Sequence, residues 1–296
     1  MRLVTRGDMD GVTSAVLITT MEKIDGIELV HPQDITDQRF EITSNDIMAN
    51  LPYHPATSMW FDHHALTESN ATPPEGFKGK HEIAPSVARV IYSYYASDKL
   101  APFAYLVDET DRFDSATLTK GDILNPTGVI LLGFTIDSRS GIGGFKEYFI
   151  NLVDWLKTKP LADVLAQPEV ERRAALLREN NMAFLDLLKK HSRQDGNVII
   201  TDFRDLDAAP IGNRFLVYAL FPEANVSLRL QWGPEKKFVA ASLGHHIFNR
   251  SCATHCGQLA SDFGGGGHKG AAACPLDAAR AEEQIAEIVR RLKEAG

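Results

Sequence analysis

The sequence predicts an α/β protein: a parallel-sheet N-terminal domain, a helical linker, and a smaller α/β C-terminal domain, with the active cleft expected between the two. Three observations lead there. Short apolar runs of strand length alternate with helical periods over residues 1–157, a long amphipathic stretch spans 168–192, and the alternation restarts after Gly196. A chain of 296 residues is long enough for two domains with separate cores. The boundaries read as 1–165, 166–195 for the linker, and 196–296.

The first strand is Arg2-Leu3-Val4-Thr5, and the first helix runs over 12–21 with Val12, Ala15, Val16 and Ile18 on its apolar side. Residues 27–30, 46–49 and 58–61 are further strands, and 86–96, 102–107 and 127–132 carry helical periods. Alternating strands and helices imply a parallel sheet covered on both faces, whose ligands sit beyond the carboxyl ends of the strands. In the linker Ala174, Leu177, Met182, Leu185 and Leu188 recur among charges. The second domain reads as strands at 198–200, 226–230 and 238–243, helices at 214–221 and 256–263, a glycine-rich loop, and a final helix at 277–295.

Charge and composition narrow the function. The net charge is −8, and residues 197–296 balance 11 basic with 11 acidic side chains, so the excess acidity lies in residues 1–196. Such a chain repels long polyanions, which excludes a broad duplex-binding face and leaves small phosphate ligands. Nothing in it approaches the roughly 20 apolar residues of a membrane span, and Met1–Thr5 leads into Gly7 and Asp8 rather than a signal-peptide core. Three clustered cysteines, Cys252, Cys256 and Cys274, make no disulfide framework. The expected setting is the cytoplasm, with no membrane partner, and a homodimer is compatible with it.

Three segments carry chemistry. Gly7-Asp8-Met9-Asp10-Gly11 stands where the first strand meets the first helix, and two carboxylates on that turn suit a hard cation or a helix cap. Asp62-His63-His64 follows the 58–61 strand, so it lies on the same sheet edge; paired imidazoles with a carboxylate suit Mn or another divalent ion. Gly264-Gly265-Gly266-Gly267-His268-Lys269-Gly270 frees backbone N–H groups for an anion. Cys252-Ala253-Thr254-His255-Cys256 fits a helix start better than a zinc site. For His245-His246 a strand-end role is as natural as a binding one.

In this order the three segments give the chain, over nearly its whole length, a resemblance to the DHH phosphoesterases, which include RecJ-type exonucleases, oligoribonucleases, cyclic-dinucleotide phosphodiesterases and exopolyphosphatase-related proteins. The resemblance implies Mn2+, with Mg2+ or another divalent ion as substitutes, as one or two ions, and hydrolysis of a small nucleotide-like substrate: a short single-stranded oligonucleotide, a cyclic dinucleotide or polyphosphate. Carried over, Asp8, Asp10 and His63 are metal ligands, His64 faces the phosphate, and Asp62 supports the histidines. A later ligand is expected near 107–113, with Asp108 preferred, Asp111 second and Asp137 third. Gly265, Gly266, Gly267, His268, Arg250 and Asn249 would hold substrate; Arg139 would face the cleft and Arg112 pair with a neighbouring acid.

Two positions depart from the pattern. Arg6 stands where the family shows His, and Asn50 stands where a bridging Asp is usual. Both losses fall on one metal position. The resulting expectation is a one-metal site with Arg6 as cationic partner; the competing ones are replacement of the lost ligands by His54 or Asp34, and a degenerate nucleotide- or phosphate-binding protein of the same fold.

Overall fold

The computed structural model describes residues 1–66, 72–136 and 144–294; Asp137 and Arg139 lie outside them. The chain forms two compact units, Met1–Thr117 with Pro126–Leu176, and Leu118–Asn125 with Leu177–Gly296.

Unit 1 begins β1 (Arg2–Thr5), α1 (Met9–Met21), β2 (Gly26–Leu29), α2 (Pro32–Thr36), β3 (Asp46–Ala49), β4 (Met59–Asp62) and β5 (Gly79–His81). The strands form one sheet in the order β2-β1-β3-β4-β5, and every pair in it is parallel. Side chains alternate across it. Leu3, Ile47 and Phe61 enter one core with Val12, Val16 and Val107, while Val4, Met48 and Trp60 enter another with Ile35, Ile42 and Leu51. Burial on both faces explains why these strands read as continuous apolar runs. The first core is closed by α3 (Val87–Tyr95), α4 (Ala104–Asp114), α6 (Gly128–Thr135), α7 (Phe145–Thr158), α8 (Leu161–Leu165) and the start of α9 (Pro168–His191). The helix expected over 102–107 is therefore longer, and its end matters for the site below.

Between α4 and α6 the chain gives α5 (Lys120–Leu124) to unit 2, where α5 packs on α10 (Leu216–Leu220). The other elements are β6 (Ser192–Asp195), β7 (Val198–Asp202), β8 (Val226–Trp232), β9 (Phe238–His245), α11 (Cys256–Ser261), β10 (Gly266–Gly267), β11 (Ala271–Asp277) and α12 (Ala281–Glu294). Their sheet has the order β10-β11-β9-β8-β7-β6. Only β7 and β8 run parallel; the other pairs are antiparallel. Val198, Leu228, Ala241 and Cys274 point into a core with Leu259, Ile285, Ile288 and Leu292. Among the described residues no helix is long and apolar enough to cross a membrane.

His246 closes one end of this sheet. Its Nδ1 accepts from the Phe248 and Asn249 amides, both at 3.0 Å, and Nε2 donates to the Tyr218 carbonyl at 3.2 Å. The rings of Tyr218 and Phe248 pack on it. Burial holds this imidazole below its ordinary value of 6.5. Below pH 6.5 the unfolded chain therefore binds a proton that the folded chain refuses, so stability is full above that value and declines as pH falls. Urea midpoints measured from about pH 7 down to about pH 5 should fall in the native chain, with a flatter slope in His246→Asn, whose amide keeps the acceptor and cannot titrate; equal slopes would refute this account.

Candidate metal centre

Strand register builds the site. Thr5 pairs with Ala49, and Ala49 with Phe61, so the residues just beyond them, Arg6, Asn50 and Asp62, come side by side at the carboxyl edge. This is also where the strand order reverses, because β1 sends the chain to β2 on one flank and has β3 on the other. Open α/β sheets hold their ligands at such a switch point.

Asp8 caps α1, its Oδ1 accepting from the Gly11 N–H at 2.8 Å. The turn is tight: a Cβ on Gly11 would lie 2.0 Å from the Arg6 carbonyl oxygen. One turn on, Asp10 is buried and accepts from the N–H groups of Val87 (2.8 Å) and Ala88 (2.9 Å), which open α3. Burial, then the charges of Asp114 and Asp8, push the Asp10 carboxyl well above its ordinary value despite those bonds.

His63 Nδ1 lies 2.9 Å from the Ala84 carbonyl and donates to it. In the neutral ring that places the lone pair on Nε2. Nε2 is buried without a hydrogen-bond partner among the described residues, 3.4 Å from Asp114 Oδ2 and 3.8 Å from Asp10 Oδ2. The ligand atoms of Asp10, His63 and Asp114 all lie within 4.8 Å of one another. Burial also raises the Asp114 carboxyl, His63 counters it, and Asp8 adds to it. Two raised carboxyls and an imidazole nitrogen converge here, a donor set that suits a divalent cation.

Asp62 orients the histidines. Its Oδ1 accepts from the His63 amide and from His64 Nδ1, both at 2.8 Å. That bond raises the His64 imidazole pKa, against the effect of burial. His81 Nε2 donates to the His64 carbonyl at 2.7 Å. Asp62, His63 and His64 form a second possible ion-holding group.

Asp8 is engaged through both of its oxygens. Beyond the cap, its Oδ1 accepts from Asn50 Nδ2 at 3.2 Å, and its Oδ2 pairs with Arg6 Nε at 3.2 Å.

The structure corrects the later ligand. Asp108 is 64% exposed and pairs with Arg89 at 2.5 Å, while Asp111 binds Ser86 at 2.6 Å and Arg89 at 2.8 Å; neither belongs to the cluster. Asp114 does. Helix phase carried the signal: Val107, Thr110 and Asp114 share a stripe at steps of three and four, and Thr110 bonds Thr13 of α1 at 2.7 Å. Asp10 precedes Thr13 by three residues and Asp114 follows Thr110 by four, so helices running counter to each other set the two carboxylates opposite. Neither substitute ligand is here: His54 accepts from the Ala56 amide and Asp34 pairs with Arg39. Arg112 pairs with Glu109 at 2.8 Å.

In unit 2 the glycine segment is a hairpin rather than a loose loop, with Gly266 opposite Ala273 and Gly267 opposite Ala272. A Cβ at Gly265 would meet the Ala273 carbonyl at 2.1 Å, and Gly267 has φ +149°, so packing already demands glycine at both. Gly266 and His268 are exposed. Asn249 is engaged within unit 2, its amide donating to the Ala224 carbonyl at 3.0 Å. Arg250 is exposed, its Nε donating to the Ile247 carbonyl at 3.3 Å. His245 lies 2.8 Å from the Thr254 carbonyl through Nε2. All three cysteines are free and buried; burial first, and Cys252 second, push the Cys256 thiol up to about 12.

No family model and no curated protein matches the chain. Among solved structures it is similar to a pGpG-specific phosphodiesterase, PggH, from Vibrio cholerae, with 32% identity over 100% of this chain and 99% of that one, at a TM-score of 0.86. It shares its fold with RecJ from Thermus thermophilus solved with Mn2+, at 14% identity, 99% and 52% coverage, and a TM-score of 0.60. The same holds for an exopolyphosphatase-related protein from Bacteroides fragilis, at 13% identity, 99% and 92% coverage, and a TM-score of 0.53.

Proposed function

The chain belongs to the DHH phosphoesterases and is a hydrolase, and on that premise we propose that it is a divalent-metal-dependent phosphodiesterase cleaving a short 5′-phosphorylated dinucleotide of the pGpG kind. The observation that carries the reading is His63, whose buried Nε2 has no hydrogen-bond partner among the described residues and faces Asp10 and Asp114. A lone pair between two acids suits a cation. Asp10, His63 and Asp114 would hold it, with Mn2+ and Mg2+ as the candidate ions, since RecJ, with the same fold, is solved with each, and the histidine in the set favours Mn2+. When bound, such an ion polarises a phosphoryl group and lowers the pKa of a water.

The remaining work falls to the chain's own residues. His64, kept basic by Asp62, donates to a phosphoryl oxygen in its protonated form. Arg6, 38% exposed, offers a fork of donors to the same phosphate. In unit 2 the exposed Gly266, with His268 and Arg250, forms an anion-binding element in this reading, while Gly265 and Gly267 give the hairpin its shape. The acidic excess of residues 1–196 favours a dinucleotide over duplex nucleic acid, and three reduced thiols suit the cytoplasm.

Incubation of the Mn2+-loaded protein with pGpG should yield two molecules of GMP per molecule cleaved. EDTA and His63→Ala should abolish the reaction, and oligonucleotides of increasing length should be cleaved progressively more slowly. Equal turnover of long single strands or polyphosphate would overturn the substrate, and turnover surviving in His63→Ala would overturn the site.

A further inference from the structure

Arg6, Asp8 and Asn50 form a second cluster beside the Asp10, His63 and Asp114 group, with a different chemistry. The acidic cluster suits a bound cation. The other already contains one. Asp8 Oδ1 accepts from the Gly11 amide at 2.8 Å and from Asn50 Nδ2 at 3.2 Å, and its Oδ2 faces Arg6 Nε at 3.2 Å. The groups turned towards Asp8 are therefore donors, and neither a guanidinium nor an amide nitrogen has a lone pair for a metal. An ion beside Asp8 would also stand against a permanent positive charge.

Asn50 is polarised by this arrangement. Its Nδ2 end is spent on Asp8, which leaves Oδ1 buried and without a hydrogen-bond partner among the described residues. An Asp in this place would offer acceptors at both ends; Asn offers a donor to the Arg6 side and one acceptor elsewhere. Register holds the pair together, since Arg6 and Asn50 directly follow the paired Thr5 and Ala49.

We infer that the Arg6 guanidinium, paired with Asp8, which Asn50 in turn holds, takes the place of a second metal ion, so that the centre binds one divalent cation per chain and Arg6 is a catalytic residue that holds the phosphate. The inference rests on the proposed metal-dependent phosphodiesterase. Asp8 is then a clamp for Arg6 rather than a metal ligand.

Mn2+ content decides it, read by elemental analysis after reconstitution and desalting, with electron paramagnetic resonance to distinguish an isolated ion from a coupled pair. One uncoupled ion per wild-type chain is expected. Arg6→Ala should keep one ion and lose about 100-fold in kcat, as when a donor to developing charge is removed. Arg6→His combined with Asn50→Asp, which puts a lone-pair nitrogen in place of the guanidinium and a carboxylate oxygen in place of the Nδ2 donor, should take up a second ion and show coupling. Two ions in wild type, with pGpG still cleaved, would overturn the inference and leave the phosphodiesterase reading standing; no bound ion would overturn both. One ion in a double variant with native circular dichroism would also overturn it, because Arg6 and Asn50 would not be what excludes the second.

Discussion

If pGpG is the substrate proposed above, Asp114→Asn and His63→Ala should each lower its turnover by about 10³-fold, or about 4 kcal/mol of transition-state stabilisation, while Asp108→Asn should keep it within about twofold. The contrast separates residues that lie close in the sequence. Asp108 is 64% exposed and tied to Arg89; Asp114 Oδ2 lies 3.4 Å from the bare nitrogen of His63. The direction of the stability change in metal-free protein provides a second readout. Asp114 adds charge repulsion to a buried Asp10 already strained by desolvation, so Asp114→Asn should not lower the thermal midpoint without metal, yet should remove the stabilisation that Mn2+ gives the wild type. A variant that melts early in both states would point to a structural role, and a turnover loss in Asp108→Asn equal to that in Asp114→Asn would restore Asp108 to the site.

Gly11→Ala should lower folding stability by about 3 kcal/mol, the upper end of the range for overpacking. The added methyl would stand 2.0 Å from the Arg6 carbonyl oxygen, 3.0 Å from its carbon and 3.2 Å from Thr5 Oγ1. Two of those neighbours are backbone at the end of β1, which is held in register on both flanks and cannot swing aside like a side chain. Relief requires moving Arg6, so the variant should also lose about 100-fold in turnover through misplacement alone. Urea unfolding measures the first effect and steady-state rates the second. A loss of stability under about 1 kcal/mol would mean that the turn yields easily, and the close approach would lose its importance.

Much of this was legible before any coordinates. The parallel sheet followed from apolar runs buried on both faces, and the motifs fell at strand ends because Gly7–Gly11 and Asp62–His64 directly follow such runs. Asp114 escaped because nearness to the apolar run at 102–107 was weighed above helix phase, and phase counts only once α4 is known to extend past Asp108. The edge strand Gly79–His81 is short and largely polar, so it carries no periodic signal. Asn249 read as a substrate ligand because an amide has the same donors whether it meets a nucleotide or, as here, closes a turn onto Ala224. In unit 2 alternation of strands and helices was legible, but strand direction was not, because pairing partners far apart in sequence decide it.

The loan of residues 118–125 to unit 2 makes the two units inseparable by a single cut. The chain passes between them at 117/118, 125/126 and 176/177, so a C-terminal fragment beginning within α9 would leave behind α5 and strip α10 of its cover. Unit 2 has no continuous gene segment of its own. On the ribosome its sheet must wait for strands encoded in the last third of the message, while α5, made much earlier, has no partner until α10 emerges. Shuffling unit 2 onto another partner would therefore require moving two pieces of sequence together, which ties the fates of the two units during descent more tightly than a simple linker would.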